Sequence, residues 1–268
     1  MLRYIIAIAM LLTSTANAHE FWLQPEDYMI TQDQEIRVNI RVGQMFKGNT
    51  FAFIPKNFQS YDITDNTGKR PVNSILGDTP SIHEKPVTDG LHVISHMSSS
   101  YLLTYTEEDK FTEFVTSKGL DWVLEAHRAR GLPEVGFSEA YTRFAKSLIA
   151  VDDGAGQDAQ VGMFYEMVAL ANPYTDDVSG GLPVQLFWMG EPLADIQVDV
   201  FRRPAPDAEV DKYHTRTDAE GKALIDLKDG GEFLLDAVQM IEPFAEDSAR
   251  TGAVWHSLWA SMTFEYLP

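Results

Sequence analysis

The stretch that decides the fold is residues 182–240, LPVQLFWMGEPLADIQVDVFRRPAPDAEVDKYHTRTDAEGKALIDLKDGGEFLLDAVQM. Short strands repeated at regular spacing are typical of a β-sandwich, and this stretch contains five such runs. The runs are residues 182–189, 196–202, 213–217, 223–227 and 232–240. A long, aromatic-rich run at residues 253–266 predicts the last strand. We therefore expect residues 179–268 to form a C-terminal β-sandwich domain.

Upstream of it, residues 19–178 are expected to form a β-rich N-terminal domain. Residues 35–42 (EIRVNIRV) alternate polar and apolar side chains, the pattern of a half-buried strand. Asn66-Thr67-Gly68 is a turn signal between two further strand-like runs. The remaining strand predictions are a hairpin of residues 60–65 with 70–75 and a second strand pair of residues 90–96 with 101–105.

A helical insertion is predicted at residues 107–149, so the fold class is mainly β with an α-helical segment. Apolar residues recur at near-helical spacing over 107–130, with Gly119 dividing the run into two helices. Residues 138–149 predict another helix, with Ser138 as its cap. Its expected apolar stripe consists of Tyr141, Phe144, Ala145 and Leu148.

The first 18 residues have the features of a secretory signal peptide. Arg3 precedes the apolar run of residues 4–12, and Ala16-Asn17-Ala18 matches a signal peptidase site. We expect cleavage after Ala18 and export to the periplasm. The mature chain would have 250 residues and begin at His19.

Composition excludes several classes of function. The chain of 268 residues has a formal charge of −19, which argues against a nucleic-acid partner because phosphate binding needs a basic surface. It has no cysteine, which excludes disulfides, thiolate nucleophiles and cysteine-ligated metal centres. Any transition metal must therefore be held by nitrogen and oxygen atoms.

His19 is the leading candidate metal ligand. A free N-terminal histidine offers its α-amine and imidazole Nδ1 to one ion, and a second histidine completes a histidine brace. This nitrogen-rich set suits Cu²⁺ or Ni²⁺. The alternative is that cleavage leaves a histidine at the N-terminus with no metal role.

Three further histidines are candidate partners of His19. His92 and His96 share one face of a predicted strand about 13 Å apart, too far to bind one ion together. His256 lies between Trp255 and Trp259, where a packed core histidine is the simpler interpretation. His127, on a charged helix, is expected to be a solvated surface residue. Asp158, in the polar loop 152–158, is expected in a solvated turn because the EF-hand spacing is missing.

Several segments together resemble a domain-of-unknown-function family of exported bacterial proteins. That family is grouped with the periplasmic NikM-like or CbiK-like components of nickel and cobalt uptake systems. The segments are residues 18–23 (AHEFWL), 118–121 (KGLD), 139–148 (EAYTRFAKSL), 172–174 (NPY), 190–194 (GEPLA), 217–221 (TDAEG) and 255–264 (WHSLWASMTF). The resemblance implies a transthyretin-like or carboxypeptidase-regulatory-like C-terminal sandwich. It also implies metal handling beside an inner-membrane transporter.

Three functions follow as hypotheses. The first is a periplasmic nickel, cobalt or copper binding protein that delivers its ion to a membrane uptake system, with His19 and one of His92, His96 or His256 as ligands. The second is a metal-independent extracytoplasmic interaction module that binds through an exposed sheet edge. The third is a histidine-brace copper redox enzyme acting on a polysaccharide, for which Phe21 and Trp22 are candidate aromatic contacts.

Overall fold

The computed structural model describes residues 19–268, and the predicted signal peptide lies outside the described residues. The described chain is mainly β, with three short helices and several sheets. The strands of the first part are β1 (Glu20–Pro25), β2 (Met29–Ile30), β3 (Ile36–Gln44), β4 (Lys47–Phe51), β5 (Phe58–Asp65), β6 (Gly68–Pro71), β7 (Ile82–Glu84), β8 (Gly90–Ser98), β9 (Tyr101–Tyr105), β10 (Phe137–Val151) and β11 (Tyr165–Ala169).

The second part carries the remaining strands. They are β12 (Leu182–Trp188), β13 (Glu191–Pro192), β14 (Gln197–Arg203), β15 (Asp211–Arg216), β16 (Lys222–Ile225), β17 (Gly231–Ile241) and β18 (Ala253–Tyr266). The five runs predicted between residues 182 and 240 are all strands, and the last strand has the predicted bounds. The β5–β6 hairpin is confirmed. β8 and β9 are both strands, but each pairs with β10 rather than with the other.

The helices are α1 (Glu108–Ser117), α2 (Trp122–Ala129) and α3 (Ala245–Thr251). In α1 the buried residues Phe111, Phe114 and Val115 recur at a spacing of three and four, which places them on one face. Gly119 adopts φ +66 between α1 and α2, which explains the predicted break, because glycine enters this left-handed region without steric cost.

The prediction of a helix at residues 138–149 is wrong, because these residues belong to the 15-residue strand β10. Both faces of β10 are covered: Phe144 and Leu148 enter one core, and Ala145 and Ile149 enter another. A strand buried on both faces loses the alternation of apolar and polar residues that would identify it. The residues of the supposed helical stripe therefore point to opposite sides of a sheet.

The central layer is a ten-stranded sheet in the order β15-β14-β17-β18-β10-β8-β5-β6, with β2 and β9 also paired to β10. β10 and β18 run parallel over ten residue pairs, from Ser138 opposite Ala253 to Ser147 opposite Thr263. A second sheet consists of β1-β3-β4 with β7 on β3, and a third consists of β11-β12-β13 with β16 on β12.

Hydrophobic cores lie on both faces of the central sheet. On one face, residues of β10, β14, β17 and β18 pack against β11, β12 and β16. On the other face, β1 and β3 cover β5, β8 and β10, while α1 and α2 cover Trp255 and Trp259 of β18. Strands from both sides of position 178 therefore hydrogen-bond in one sheet and share one core.

Candidate functional site

The structure brings two of the four candidate metal ligands to one pocket. His19 and His96 both line a cavity of about 380 Å³ between the β1-β3-β4 sheet and the central sheet. His19 directly precedes β1 and is exposed, whereas His96 lies in β8 and is buried. The pocket has a volume near the lower end of the range for small-molecule sites.

The walls of the pocket are mostly apolar and aromatic. The small sheet contributes Phe21, Ile40, Val42 and Phe51, and the opposite wall includes Phe58, Tyr101 and Tyr141. The lining contains no Asp or Glu, and its one formally charged side chain apart from histidine is Arg143.

Arg143 lies in the part of β10 between the residues that pair with β9 and those that pair with β8. β9 pairs with residues up to Tyr141, and β8 pairs with residues from Leu148 onward. In this interval the Arg143 backbone N–H donates to Ser98 Oγ at 2.9 Å, which satisfies a donor that lacks a strand partner on that edge. The interruption opens the sheet edge where the pocket lies.

His96 is held among aromatic rings. Its ring centroid lies 5.0 Å from those of Phe21 and Tyr61 and 5.4 Å from that of Phe58. Burial, and secondarily the charge of Arg143, lowers the pKa of His96 to about 3. Nδ1 is buried without a hydrogen-bond partner. The ring is therefore neutral at pH 7 and retains a lone pair that a metal ion could accept.

His92 lies in the same strand as His96, β8, but it has different neighbours. Its Nδ1 contacts Gly90 O at 3.2 Å, and its Nε2 lies 3.6 Å from Asp65 Oδ2. Burial lowers the pKa of His92. The lining of the His19 pocket does not include His92.

His256 is on the opposite face of the central sheet from the pocket. Its Nε2 lies 2.9 Å from Thr142 Oγ1, and alternation along β10 directs Thr142 away from Arg143. By the same alternation His256 shares a face with Leu258, which belongs to the core on the far side. The sheet therefore separates His256 from His19.

His127 is not the solvated residue that the sequence predicts. It is buried, its Nδ1 accepts a hydrogen bond from Trp255 Nε1 at 3.0 Å, and its Nε2 lies 2.9 Å from Pro133 O. The helix α2 packs this face against β18, so a charged neighbourhood in the sequence conceals a buried position.

The pocket offers two candidate nitrogen ligands, His19 and His96. Residues 19–268 contain no group of three or more His, Asp or Glu side chains able to hold an ion. A histidine brace needs two residues only, because the N-terminal residue supplies both its amine and its ring. The donor set of His19 and His96, without carboxylates, suits Cu²⁺ or Ni²⁺ and not hard ions such as Ca²⁺.

A family model described as "Domain of unknown function (DUF4198)" matches residues 16–241. The chain belongs to this family. The matched range includes His19, His92 and His96 and ends before His256. No curated protein shows significant sequence similarity to this DUF4198 member.

One solved structure, a tetra-tandem repeat in the extending region of a large adhesion protein, is a distant match to this DUF4198 chain. The identity is 11% and the TM-score is 0.23, over 93% of this chain and 49% of the other. The chain thus spans about half the length of that structure.

A buried ionic cluster lies behind the N-terminal strand of the DUF4198 protein. Lys118 Nζ contacts Asp236 Oδ2 at 2.7 Å, Asp199 Oδ2 at 2.9 Å and Glu20 Oε1 at 3.9 Å. Burial raises the pKa of Glu20 to about 7, and the charge of Lys118 opposes that shift. The cluster connects the residue next to His19 to β14 and β17.

A second buried cluster corrects the expectation for Asp158. This side chain is buried and contacts Lys146 Nζ at 3.0 Å, while Glu166 contacts the same nitrogen at 2.7 Å. The polar loop of the DUF4198 protein is therefore anchored in the interior at its last residue.

Phe21 and Trp22 do not form an exposed aromatic face. Their exposed fractions are 7% and 0%, so neither is available to a polysaccharide surface.

Within residues 19–268, no helix is both long enough and apolar enough to cross a membrane.

No sequence motif indicates Arg143 of the pocket or the buried contact between Glu20 and Lys118 behind the N-terminal strand. Arg143 lies in a stretch whose spacing resembles a helix, and Glu20 and Lys118 meet only through tertiary packing. The one usable signal is indirect: Glu20, Lys118 and Arg143 all lie in segments that carry the family resemblance.

Proposed function

We propose that this DUF4198 protein is an extracytoplasmic binding protein for a transition metal ion, held by His19 and His96. The observation that carries the proposal is that these two residues, far apart in sequence, line the same pocket. In the full-length chain the His19 nitrogen is in the peptide bond to Ala18. Cleavage after Ala18 would free it as an amine and supply the third nitrogen.

The donor chemistry supports copper or nickel more than cobalt. An amine and two imidazoles form a nitrogen set of the kind that tetragonal Cu²⁺ and Ni²⁺ prefer. His96 is uncharged at neutral pH, so it need not lose a proton before it binds an ion. His92 and His256 are not part of the proposed site, because neither lines the pocket. Arg143 weakens the attraction of the pocket for a free cation.

The cellular setting of the proposal rests on the sequence. The signal-like residues 1–18 support export to the periplasm, and the family resemblance supports delivery of nickel or cobalt to an inner-membrane uptake system. The transthyretin-like or carboxypeptidase-regulatory-like character of the C-terminal strands belongs to the same proposal. It is supported by the turn segments 190–194 and 217–221.

Isothermal titration of Cu²⁺, Ni²⁺ and Co²⁺ into protein that begins at His19 tests the proposal. We expect at least one ion to bind with a Kd below about 1 μM, which corresponds to about −8 kcal/mol. Retaining Ala18 before His19, or replacing His96→Ala, should weaken binding at least about tenfold. His83→Ala, at an exposed position, is the matched control and should leave the affinity unchanged.

Two outcomes would reject the proposal. Absence of binding tighter than micromolar for all three ions would leave a metal-independent interaction module. Tight binding that is insensitive to both Ala18 retention and His96→Ala would place the ion elsewhere. Consumption of oxygen or peroxide by the copper-loaded protein would assign the same site to a redox enzyme.

A further inference from the structure

The pocket that contains His19 and His96 has a cationic group, Arg143, that makes no direct ion pair with a carboxylate. Among the described residues, Arg143 forms no ion pair with an Asp or Glu within 4.0 Å, and residues 1–18 contain neither amino acid. No carboxylate lines the pocket either. A half-buried guanidinium without a direct ion-pair partner is uncommon, because burial disfavours an unpaired charge.

The guanidinium is nevertheless fixed in position. Its central carbon lies 4.9 Å from the ring centroid of Tyr141 and 5.6 Å from that of Phe21. Nη2 donates a long hydrogen bond of 3.4 Å to the His19 carbonyl oxygen. Nε is buried and has no hydrogen-bond partner in the protein. Stacking orients the group while leaving most of its donors free for a planar acceptor.

The rest of the pocket suits a flat apolar body. Phe51 and Phe58 contribute to the walls, and Tyr101 stacks on Tyr141 with ring centroids 5.5 Å apart. The volume of about 380 Å³ admits a single small ring with its substituents and not an extended polymer. Aromatic walls with one convergent charged group are typical of small-molecule sites.

We propose that the pocket binds a small aromatic carboxylate, whose carboxyl group pairs with Arg143 and whose ring lies between the aromatic walls. Arginine and carboxylate match in planar, bidentate geometry, and such charge-assisted hydrogen bonds are among the strong ones. The ligand does not require a bound metal. This proposal therefore extends beyond the metal-binding function. The negative charge of the ligand would also offset the repulsion between Arg143 and an ion at His19.

The test uses metal-free protein beginning at His19, prepared with a chelator and then dialysed. Benzoate is the probe, benzyl alcohol is its neutral counterpart, and acetate is the anion without a ring. Chemical-shift perturbation in ¹H–¹⁵N spectra gives a Kd for each. We expect benzoate to bind at least about tenfold more tightly than either of the other two, because each of them lacks one part of the recognition.

The variants separate the role of Arg143 from general effects. Arg143→Gln should lose at least about tenfold in benzoate affinity, and Arg143→Lys should retain part of it. Arg130→Gln is the matched control, because Arg130 also stacks on an aromatic ring, 4.5 Å from the centroid of Trp255, away from the pocket. It should bind benzoate like the unchanged protein. Thermal unfolding of each variant checks that it is folded.

The proposal is overturned if benzoate causes no chemical-shift changes at 10 mM. This concentration is on the order of the weakest Kd expected for a probe of this size. It is equally overturned if benzyl alcohol binds as well as benzoate, or if Arg143→Gln and Arg143→Lys both bind like the unchanged protein. Because the protein is metal-free, a failure here leaves the metal titration unaffected, and a failed metal titration leaves this result unaffected.

Discussion

Replacing Glu20 with glutamine should change how the stability of the protein depends on pH. Glu20 is 4% exposed, its Oε2 has no hydrogen-bond partner, and Lys118 Nζ is 3.9 Å from its Oε1. The carboxylates of Asp199 and Asp236 lie closer to Lys118 Nζ than Glu20 does, so Lys118 interacts more strongly with them than with Glu20. Burial therefore dominates and raises the pKa of Glu20 from 4.5 to about 7.

The sign and size of the change in the free energy of unfolding follow from the linkage between protonation and folding. A group whose pKa is raised in the folded protein binds its proton more tightly there than in the unfolded chain. Its contribution to stability is complete below about pH 4.5 and is lost as the pH rises through 7. A shift of this size corresponds to about 3 kcal/mol, at 1.36 kcal/mol per pH unit. In Glu20→Gln the amide has no proton to lose, so this loss disappears.

Urea unfolding at pH 4.5, 6 and 8 measures the effect as a difference between the variant and the unchanged protein. Relative to the unchanged protein, Glu20→Gln should gain about 3 kcal/mol between pH 4.5 and pH 8. Glu139, whose pKa burial also raises to about 7, contributes equally to both proteins and cancels. Glu125→Gln, at an exposed position of α2, is the control and should show no such gain. A difference between Glu20→Gln and the unchanged protein that stays constant with pH would refute the reasoning.

Two further predictions concern buried polar groups away from the pocket. Lys146→Met should lower the unfolding free energy by about 3–5 kcal/mol, because Asp158 and Glu166 would be left buried without their cation, and the melting temperature should fall by about 10 °C. A loss below about 1 kcal/mol in calorimetry would contradict that role. His127→Leu should cost about 1–3 kcal/mol in urea unfolding, because Trp255 Nε1 loses its acceptor. His127→Asn should recover part of this through its side-chain oxygen, and equal losses in the two variants would show that packing alone matters.

The fold was partly predictable because some of its elements carry their own local signal. In α1 the spacing of Phe111, Phe114 and Val115 identifies the helix, and the strands between residues 182 and 240 are set off by turns. β10 lacks such a signal, because both of its faces are buried and its pairing with β18 joins residues more than 100 positions apart. Local spacing then favours a helix that tertiary pairing overrides.

The sequence indicates the candidate ligands of the pocket, but it does not indicate how they are placed relative to one another. His19 follows from the cleavage signal, and His96 follows from the inventory of histidines. The pocket that they share depends on how the β1-β3-β4 sheet packs on the central sheet, which no local pattern encodes. Arg143 lines the pocket in the part of β10 where the strand changes partners, between Tyr141 and Leu148.

Crystals of the protein beginning at His19, loaded with one equivalent of Cu²⁺, would test the pairing of His19 and His96 most directly. Anomalous difference density collected at the copper edge locates the ion independently of any assumed ligand. We expect a single peak in the pocket, about 2 Å from the α-amine and Nδ1 of His19 and from a ring nitrogen of His96. A peak at another histidine, or one bound by His19 while the His96 ring stays beyond bonding distance, would contradict the proposed site.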